Sequence, residues 1–471
     1  MGDRVHAISL YLQAQQIKEG NNPHNMPPEH AYRLMASSVM QDPTMGLGWY
    51  EYGNANSDNM WRNAAVAAYR RALELPDGVD SGDMTPEWRA KCMVNLAHNL
   101  HHIGRNKEAR SIVLDALKMN DRLENGWLTL SLIQNVDGQL GNAEISARRA
   151  MSINRTPAIE IGLAFSLMYA RKFAEGLKHF EARFEYVLRQ FLSYPYPKWE
   201  GERGKTVFLV SEQGMGDALS FSRFVPALIE RSQRVHIRVN SELLKLFRIM
   251  FQKYDNITIE PIPCAYPAAD CWTTFMSLPV ALGLSDKEIL DATALPCPDL
   301  RVDQSWRSTD RNLHIGVSWT GSTANWINHH RSFPIEYLLE LYRVPGVQLY
   351  SLQMDDAGQQ IHDKGLASLI RDMRPYVRDV CDTLAIMNGL DMVVTCESAL
   401  GHIAGLADKP CLIPYSYHGG DFRIGRTEEG SIWYPNHRIF KQGYDADWKG
   451  PFDRIVRYIA GPKGEIKRWQ K

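Results

Sequence analysis

The sequence has no long run of apolar residues, no block of like charge and no Cys-x-x-Cys pair among its seven cysteines. Without a run of about 20 apolar residues there is no candidate membrane-spanning helix, and residues 1–20 lack the apolar core of a signal peptide. The odd cysteine count and the apolar neighbours of most cysteines favour buried thiols over disulfides or a zinc site. Together these absences predict a cytoplasmic protein that needs no metal.

Neither sign of charge is in excess, since 53 Lys and Arg residues stand against 54 Asp and Glu residues. This balance gives no support to a nucleic-acid backbone as the main partner, although a local basic groove would not change the net charge of the whole chain. The length of 471 residues exceeds what one hydrophobic core serves. We therefore expect about two to four domains.

The N-terminal two fifths of the chain contain a helical repeat. Glycines and alanines recur 34 residues apart in two consecutive units: Gly104 and Gly138, Ala109 and Ala143, Ala116 and Ala150. An earlier unit around Trp49–Gly53 is set apart by a turn-rich loop at residues 76–86, and a weaker unit follows at residues 173–180. Small residues allow two helices to cross closely, and glycine suits the turn between them. The pattern predicts stacked helix–turn–helix pairs, resembles the tetratricopeptide repeat, and disfavours an unrelated bundle.

The remaining residues alternate between β-branched runs and helical segments. The predicted strands are residues 207–211, 235–239, 313–319, 347–352, 392–395 and 411–413, and the predicted helices are residues 216–231, 241–251, 335–341, 381–388 and 398–407. Such alternation is typical of parallel sheets covered by helices, and two such lobes place a cleft where the carboxyl ends of their strands meet. The proline-punctuated segment 194–199 marks a linker. We predict three domains, at 1–193, 194–305 and 306–471.

The first motif that bears chemistry is Ser211–Ala218, which follows a strand and opens a helix. Gly214 and Gly216 allow a tight turn and close approach of a ligand, and free N–H groups at the helix start favour an anion or a polar acceptor. Asp217 lies in the first helical turn at the edge of the cleft. From spacing alone, a helix cap and a catalytic base are equally good interpretations of Asp217.

The second motif, Thr395–His402, repeats this arrangement at a later strand end. A hydroxyl at Ser398 and free N–H groups at the helix start make a cradle for a diphosphate. His402 lies one turn further on the same face, and Glu397 is placed to accept ribose hydroxyls. A plain helix cap with a surface histidine is the alternative.

The third motif contains Ser318 and Thr320 after a strand, followed by the basic cluster His329–Arg331. Hydroxyls and a basic group after a strand suit a diphosphate leaving group, and Arg331 can make a paired contact to phosphate oxygens. The alternative for the two histidines of this cluster is that they are surface residues with no role in binding.

The order of these motifs resembles one glycosyltransferase family. Residues from about 206 to 460 are similar to the family of the lipopolysaccharide heptosyltransferases, which has the GT-B fold. The stretches that carry the resemblance are Glu212–Pro226, Gly316–Leu338, Tyr350–Gln353, Arg378–Pro410 and Trp433–Gln442. Bacterial proteins that fuse tetratricopeptide repeats to such a domain look most alike. A protein O-linked N-acetylglucosamine transferase has a similar plan, but its motifs match less well.

The resemblance implies a fold, a reaction and a set of site residues. The fold is an N-terminal tetratricopeptide-repeat α-solenoid followed by a GT-B unit of two Rossmann-like domains that face a cleft. Asp217 matches the expected general base, and the remaining implied positions are those that contact acceptor (Glu212, Gln213, Gly214, Gly216) and donor (Ser318, Thr320, Arg331, Gln353, Asp382, Thr383, Glu397, Ser398, Ala399, His402). Relatives usually have Asp-Thr where this chain has Glu397-Ser398, which puts nucleotide choice in doubt. Residues Gly419–Arg423 match their counterpart only loosely.

The reaction we expect is inverting, metal-independent transfer of a sugar from a nucleoside-diphosphate sugar to an acceptor hydroxyl. No cofactor is required beyond the nucleotide sugar as co-substrate, and the repeats would hold an acceptor protein or glycan. A catalytically inactive sugar-nucleotide-binding adaptor is the alternative function. A modified nucleic-acid base is the acceptor that the neutral charge favours least. A homodimer is compatible with a repeat scaffold, and the sequence does not decide it.

Overall fold

The fold is known from a computed structural model, which describes residues 2–18, 28–78, 83–263, 265–295, 298, 300, 305–307, 313–323, 327–418, 420–425 and 430–461. The chain divides into two compact units, Met1–Ser166 and Leu167–Lys471. Of the helices within the described ranges, none is both long enough and apolar enough to cross a membrane.

The first unit consists of antiparallel helix pairs. Its helices are α1 (Gly2–Lys18), α2 (Pro28–Gln41), α3 (Gly46–Asp58), α4 (Arg62–Glu74), α5 (Pro86–His102), α6 (Asn106–Met119), α7 (Glu124–Val136), α8 (Leu140–Ile153) and α9 (Pro157–Tyr169), which continues into the second unit. Ala109, Ala116, Ala143 and Ala150 have no exposed surface, because helices cross at these small residues. The predicted helical repeat is thereby confirmed.

In the helix pairs whose connecting turn the structure describes, a residue in the left-handed region lies at the centre of that turn. Gly104 has φ 85° and Gly138 has φ 74°, as expected for glycines that close a tight turn. The equivalent residue between α3 and α4 is Met60, with φ 62°. Arg171, with φ 64°, follows α9 in the second unit. The repeat therefore keeps the turn geometry even where the sequence lacks the glycine.

The second unit contains two parallel β-sheets. The strands are β1 (Thr206–Val210), β2 (Arg234–Val239), β3 (Ile257–Pro261), β4 (Cys271–Thr274), β5 (Leu313–Ser318), β6 (Val347–Ser351), β7 (Ile370–Asp372), β8 (Met392–Thr395), β9 (Cys411–Tyr415) and β10 (His437–Lys441). The first sheet has the order β3-β2-β1-β4, and the second has the order β10-β9-β8-β5-β6-β7. Counted from β5, the second order is the 3-2-1-4-5-6 arrangement of a Rossmann fold, and the first sheet repeats its first four positions.

Helices cover both sheets of the second unit. They are α10 (Phe173–Phe180), α11 (Arg183–Tyr186), α12 (Met215–Phe221), α13 (Val225–Arg231), α14 (Leu244–Met250), α15 (Leu278–Ala281), α16 (Asp286–Asp291), α17 (Asn328–Arg331), α18 (Gln360–Asp363), α19 (Val380–Asn388), α20 (Ala399–Leu406) and α21 (Lys449–Ala460). The predicted fold class, helical repeats followed by two Rossmann-like lobes in GT-B fashion, is confirmed.

Some boundaries differ from those expected from the sequence. The predicted helix 216–231 consists of α12, a 3₁₀ turn at Ser222–Phe224 and α13, which has Pro226 near its start. The predicted helix 335–341 is a 3₁₀ helix over Ile335–Arg343. Because α10 and α11 belong to the second compact unit, that unit begins before the linker at residues 194–199. The three-domain division at 193 and 305 remains a prediction.

The cysteines that the structure describes are free thiols: Cys92, Cys271, Cys381, Cys396 and Cys411. Each is buried, which agrees with their expected role as small apolar residues. Burial also raises the pKa of the Cys396 thiol to about 12. Cys264 and Cys297 lie outside the described residues.

Candidate active site

Two helix N-termini meet at the carboxyl ends of two central strands. The loop after β1 leads into α12, and the loop after β8 leads into α20. The strand order reverses between β1 and β4 in the first sheet and between β5 and β8 in the second, so both loops lie at these points. A Cβ atom added to Gly216 of α12 would lie 2.6 Å from Cδ2 of His402 and 3.6 Å from Cα of Ala399. A glycine is therefore required at residue 216 for the lobes to approach this closely. The structure brings Gly216, Ala399 and His402 together, as the sequence motifs suggested.

Asp217 combines a cap with an ion pair. Its Oδ2 accepts a hydrogen bond of 3.1 Å from the Gly214 N–H, so it caps the turn that begins α12. Its Oδ1 lies 2.9 Å from Nη1 of Arg423, which belongs to the segment after β9. The Asp217 side chain is 17% exposed. The structure therefore shows the capping role, and the catalytic role remains a prediction.

Arg423 links the two lobes through a buried guanidinium group. Its Nε donates to both carboxylate oxygens of Asp421 at 2.7 and 2.9 Å, while Nη1 donates to Ser220 Oγ at 2.6 Å. Burial would lower the pKa of Arg423, but the charges of Asp421 and Asp217 raise it above its usual value. Burial would likewise raise the pKa of Asp421, but Arg423 and His402 hold it well below its usual range. Both groups are therefore ionised at neutral pH.

His402 is a neutral imidazole next to this ion pair. Its Nδ1 lies 3.1 Å from the Tyr434 hydroxyl, and its Nε2 lies 3.7 Å from Asp421 Oδ2. Burial and then the Arg423 charge lower the pKa of His402, against the opposite effects of Asp421 and Asp217. A neutral ring has one donor nitrogen and one acceptor nitrogen, so His402 can donate a hydrogen bond to a ligand without adding charge.

A small pocket lies at the start of α20. Its wall includes Ser398, His402, Arg423, Tyr434 and His437. Nε2 of His437 has no hydrogen-bond partner among the residues that the structure describes, and the side chain is 1% exposed. Burial lowers the pKa of His437 to about 3. Burial also raises the pKa of Tyr434 to about 12, so its hydroxyl is neutral beside the Arg423 guanidinium.

The start of α20 has the geometry of an open helix N-terminus. Ser398 has the extended backbone of an N-cap residue, but its hydroxyl makes no capping hydrogen bond and lies 3.3 Å from Thr395 Oγ1. Glu397 is buried in the same pocket wall. A helix N-terminus without a side-chain cap leaves N–H groups that suit an anion.

The third motif lies beside this helix start. The Arg331 guanidinium packs over Gly321, where an added Cβ would lie 2.5 Å from Nη2. Its Nε donates to Asn328 Oδ1 at 3.1 Å, and its charge acts on the Cys396 thiol at the end of β8. The Thr320 hydroxyl lies 2.8 Å from the hydroxyl of Ser332. Asn325 and Trp326 lie outside the described residues.

Gln353 joins the ends of β5 and β6. Its Oε1 accepts from Ser318 Oγ at 2.8 Å and from the N–H groups of Trp319 and Thr320 at 3.1 and 3.2 Å. Its Nε2 donates to Asp355 Oδ1 at 2.7 Å. Gln353 and Ser318 are both buried, so in this structure they fix the shape of the loop, and their predicted contact with a nucleotide remains untested.

Asp382 and Thr383 are buried on α19. The Asp382 carboxylate accepts from the backbone N–H and the Nε of Arg378, at 3.0 and 3.1 Å. Asp379 caps α19 and pairs with Lys245 of the first lobe at 2.8 Å. Among the described residues, the hydrogen bonds of Asp382 stay within its own helix start, so the structure does not join it to Asp217 and His402.

Glu212 lies in the loop that follows β1 and is held in place by Arg183 and Thr274. Arg183 of α11 makes a paired contact with it, with Nε to Oε2 at 2.8 Å and Nη2 to Oε1 at 2.7 Å. Thr274 Oγ1 also donates to Oε1. Gln213 follows with φ 56°, and both Gln213 and Gly214 are exposed. Of the four positions assigned to the acceptor, Glu212 alone is fully enclosed, and its role in this structure is to anchor the loop.

Sequence reasoning missed most of the segment that closes the site. Asp421, Arg423, Tyr434 and His437 were not among the predicted site residues. Gly419–Arg423 matched its counterpart only loosely, and Trp433–Gln442 carried the resemblance without a role for any of its residues. The available signals were that stretch and a charged Asp-x-Arg pair in a segment rich in tyrosine, phenylalanine and tryptophan. Gly419 itself lies outside the described residues. Those residues also contain no cluster of three or more histidine, cysteine or carboxylate side chains that could hold a metal ion.

Comparison with known proteins gives distant similarities. No protein-family model matches this chain. Protein FlbA of Caulobacter vibrioides is 21% identical, with 96% of this chain and 89% of FlbA covered. An O-GlcNAc transferase mutant of Thermobaculum terrenum matches with a TM-score of 0.33 and 14% identity, over 91% of this chain and 92% of its own. The tetratricopeptide-repeat protein TTC0263 of Thermus thermophilus matches 39% of this chain and 93% of its own, with 17% identity and a TM-score of 0.32.

Proposed function

We propose that the chain is a glycosyltransferase that moves a sugar from a nucleoside-diphosphate sugar to an acceptor hydroxyl, with inversion and without a metal. The observation that carries this proposal is the meeting of Asp217 at the start of α12 with the open start of α20. A carboxylate and an anion-binding helix start, face to face at the switch points of two parallel sheets, supply a base and a place for a leaving diphosphate.

In the proposed mechanism, the donor diphosphate lies at the start of α20, near Ser398 and Ala399. Asp217 takes the proton of the acceptor hydroxyl as that oxygen attacks the anomeric carbon and the bond to the diphosphate breaks. Arg331, the helix dipole and a hydrogen bond from neutral His402 stabilise the negative charge that grows on the leaving oxygen. One displacement inverts the configuration at the anomeric carbon.

The repeats are proposed to hold the acceptor, as a protein or glycan. Stacked helix pairs form extended surfaces of this kind. The near-zero net charge predicts that acceptor binding changes little with salt, whereas a nucleic-acid acceptor would lose affinity steeply as salt rises. Titration of a candidate acceptor at two salt concentrations distinguishes these cases.

The first test is a thermal-shift screen against UDP-, GDP-, ADP-, CMP- and dTDP-sugars without added metal. A ligand that binds only the folded state raises the melting temperature by mass action. One responsive nucleotide family would support the proposed donor site and identify the base. No response to any donor would count against donor binding and, with it, against glycosyl transfer.

The second test is the Asp217→Asn variant, which removes the base and keeps the shape of the cap. We expect turnover to fall about 10²- to 10⁴-fold, the usual contribution of general base catalysis. Asp255→Asn, at an exposed carboxylate of the same lobe, is the matched control and should retain activity. Turnover within a few-fold of wild type in Asp217→Asn would exclude Asp217 as the base. Donor binding by the wild type without transfer to any acceptor would favour the adaptor function instead.

A further inference from the structure

The guanidinium of Arg423 has two ends with different partners. Nε and Nη2 face Asp421 of the same segment, at 2.6 to 2.9 Å. Nη1 reaches across to the first lobe, where it contacts Asp217 at 2.9 Å and Ser220 at 2.6 Å. Asp421 thus fixes the position of Arg423 within its own lobe, while the Nη1 end is the part that can change partner without loss of the Asp421 pair.

Arg423 is shared between two carboxylates in the ligand-free protein. It contacts both Asp217 and Asp421, and burial keeps the pKa of His402 low enough for the ring to be neutral. Arg223 is fixed by the backbone, since it donates to the carbonyl oxygens of Ser220 and Ala292 at 3.0 and 2.7 Å. A diphosphate that enters next to Asp217 therefore adds negative charge which a change of partner by Arg423 would offset.

Arg423 is placed to meet such an anion. It lines the same pocket as Ser398, Gly401 and His402, which belong to or flank the start of α20. Its charge acts on the His402 ring, and that ring contacts Gly216, the residue before Asp217. One guanidinium therefore lies within reach of both the candidate base and the candidate diphosphate position.

We propose that Arg423 exchanges partners when the donor binds: Nη1 leaves Asp217 and binds an oxygen of the donor diphosphate. This inference rests on the proposed function, because it uses the same diphosphate position and the same base. Without donor, the ion pair with Arg423 occupies Oδ1 of Asp217. With donor bound, Oδ1 loses this cationic partner and is free to accept the proton of the acceptor hydroxyl. The site thus takes a proton from the acceptor only after the donor is in place.

The test measures binding of inorganic pyrophosphate by calorimetry in a double-mutant cycle. Asp217→Asn should bind pyrophosphate more tightly than wild type, on the order of fivefold or more, because Nη1 no longer has to leave a carboxylate. Arg423→Gln should bind more weakly than wild type. In the double variant the gain from Asp217→Asn should disappear. Asp255→Asn, which removes an equal charge at an exposed position of the same lobe, should leave the affinity unchanged.

Several outcomes would overturn the proposal. An affinity gain from Asp217→Asn that persists in the Arg423→Gln background would mean simple repulsion between the carboxylate and the anion. An unchanged or weaker affinity in Asp217→Asn would mean that no partner exchange occurs, and so would the absence of pyrophosphate binding to wild type and variant alike. If Arg423→Gln does not fold, a structure of the wild-type chain with pyrophosphate decides whether the exchange occurs.

A structure of the wild-type chain with pyrophosphate supplies a second readout. We expect Arg423 Nη1 to contact a phosphate oxygen and to have left Asp217, and an intact ion pair beside bound pyrophosphate would overturn the exchange. The failure of the proposed function is distinguishable. Transfer activity without coupling in the cycle rejects the partner exchange alone, whereas coupling without transfer to any acceptor rejects the glycosyltransferase and keeps the anion switch.

Discussion

At the scale of single residues, the turn centres of the helical repeat offer a direct test of backbone geometry. Met60 occupies, with φ 62°, the place that Gly104 and Gly138 occupy in later pairs. A left-handed conformation costs a non-glycine residue about 1 to 2 kcal/mol. We expect Met60→Gly to raise the free energy of unfolding by about 1 kcal/mol, and Gly138→Ala to lower it by a similar amount.

Urea unfolding followed by circular dichroism measures both effects. Ile145→Gly is the control, since Ile145 is an exposed residue in the interior of α8 and glycine destabilises helix interiors by about 1 kcal/mol. The introduction of glycine should therefore have opposite effects on stability at residues 60 and 145. Destabilisation at both positions would show that the left-handed turn does not limit stability.

At the scale of elements, α11 holds the loop that follows β1. Arg183 and Glu212 form a buried ion pair in which both side chains are almost fully enclosed. Arg183→Met leaves the Glu212 carboxylate buried without its cation, which we expect to cost about 3 to 5 kcal/mol of unfolding free energy. The double variant Arg183→Met, Glu212→Gln should recover part of this loss. Unfolding midpoints measure the difference, and equal stability of the single and double variants would contradict the pair.

The exposed ion pair between Lys287 and Asp291 of α16 supplies the control for this experiment. Its two side chains are 85% and 62% exposed, so solvent screens their attraction. Lys287→Met should therefore change the unfolding midpoint little. The contrast separates the effect of burial from the loss of one ion pair as such.

The strands that sequence patterns predicted are the inner strands of both sheets. β1, β8 and β9 are mostly apolar, while β2, β5 and β6 alternate or mix apolar with polar residues, and most residues of these strands are buried because helices cover the sheets. The four strands that were missed, β3, β4, β7 and β10, are the edges of the two sheets. They are short or carry charged residues, as β7 (Ile-Arg-Asp) and β10 (His-Arg-Ile-Phe-Lys) illustrate. Long-range pairing, rather than local pattern, makes them strands.

The site shows a similar division between local and long-range information. Glycines and polar residues at strand ends indicated Asp217, Ser398 and His402, because parallel sheets gather such residues at one edge. No local pattern could show that Arg423 reaches Asp217, since this contact joins residues 206 positions apart through the closure of two lobes. For the same reason the pattern could not show that Glu212 faces Arg183 and not the cleft.

At the scale of the whole molecule, buried neutral histidines make the second unit sensitive to acid. Burial lowers the pKa of His437 to about 3, and the pKa of His402 is lowered as well. The unfolded chain binds a proton at each below about pH 6.5, while the folded chain does not, so stability falls as the pH decreases from 7 towards 5. The expected loss from His437 at pH 5 is about 2 kcal/mol.

Urea titrations at pH 7 and pH 5 measure this effect. His437→Gln removes the titrating group. It should therefore reduce the slope of the unfolding free energy against pH by the amount that corresponds to about one proton. The low pKa of Asp421 contributes only at more acidic pH, because a carboxylate is ionised in both states above about pH 5. An unchanged pH dependence in His437→Gln would show that this imidazole is not buried as a neutral group.

The two lobes meet at Gly216 through the absence of a side chain. A Cβ atom added there would lie 2.6 Å from Cδ2 of the His402 ring, so each further methyl or methylene group would push the two lobes apart. Alanine, valine and leucine at residue 216 would hold the lobes apart by increasing amounts and would lengthen the contact between Asp217 of one lobe and Arg423 of the other. Such a series would vary the distance between the two lobes in steps.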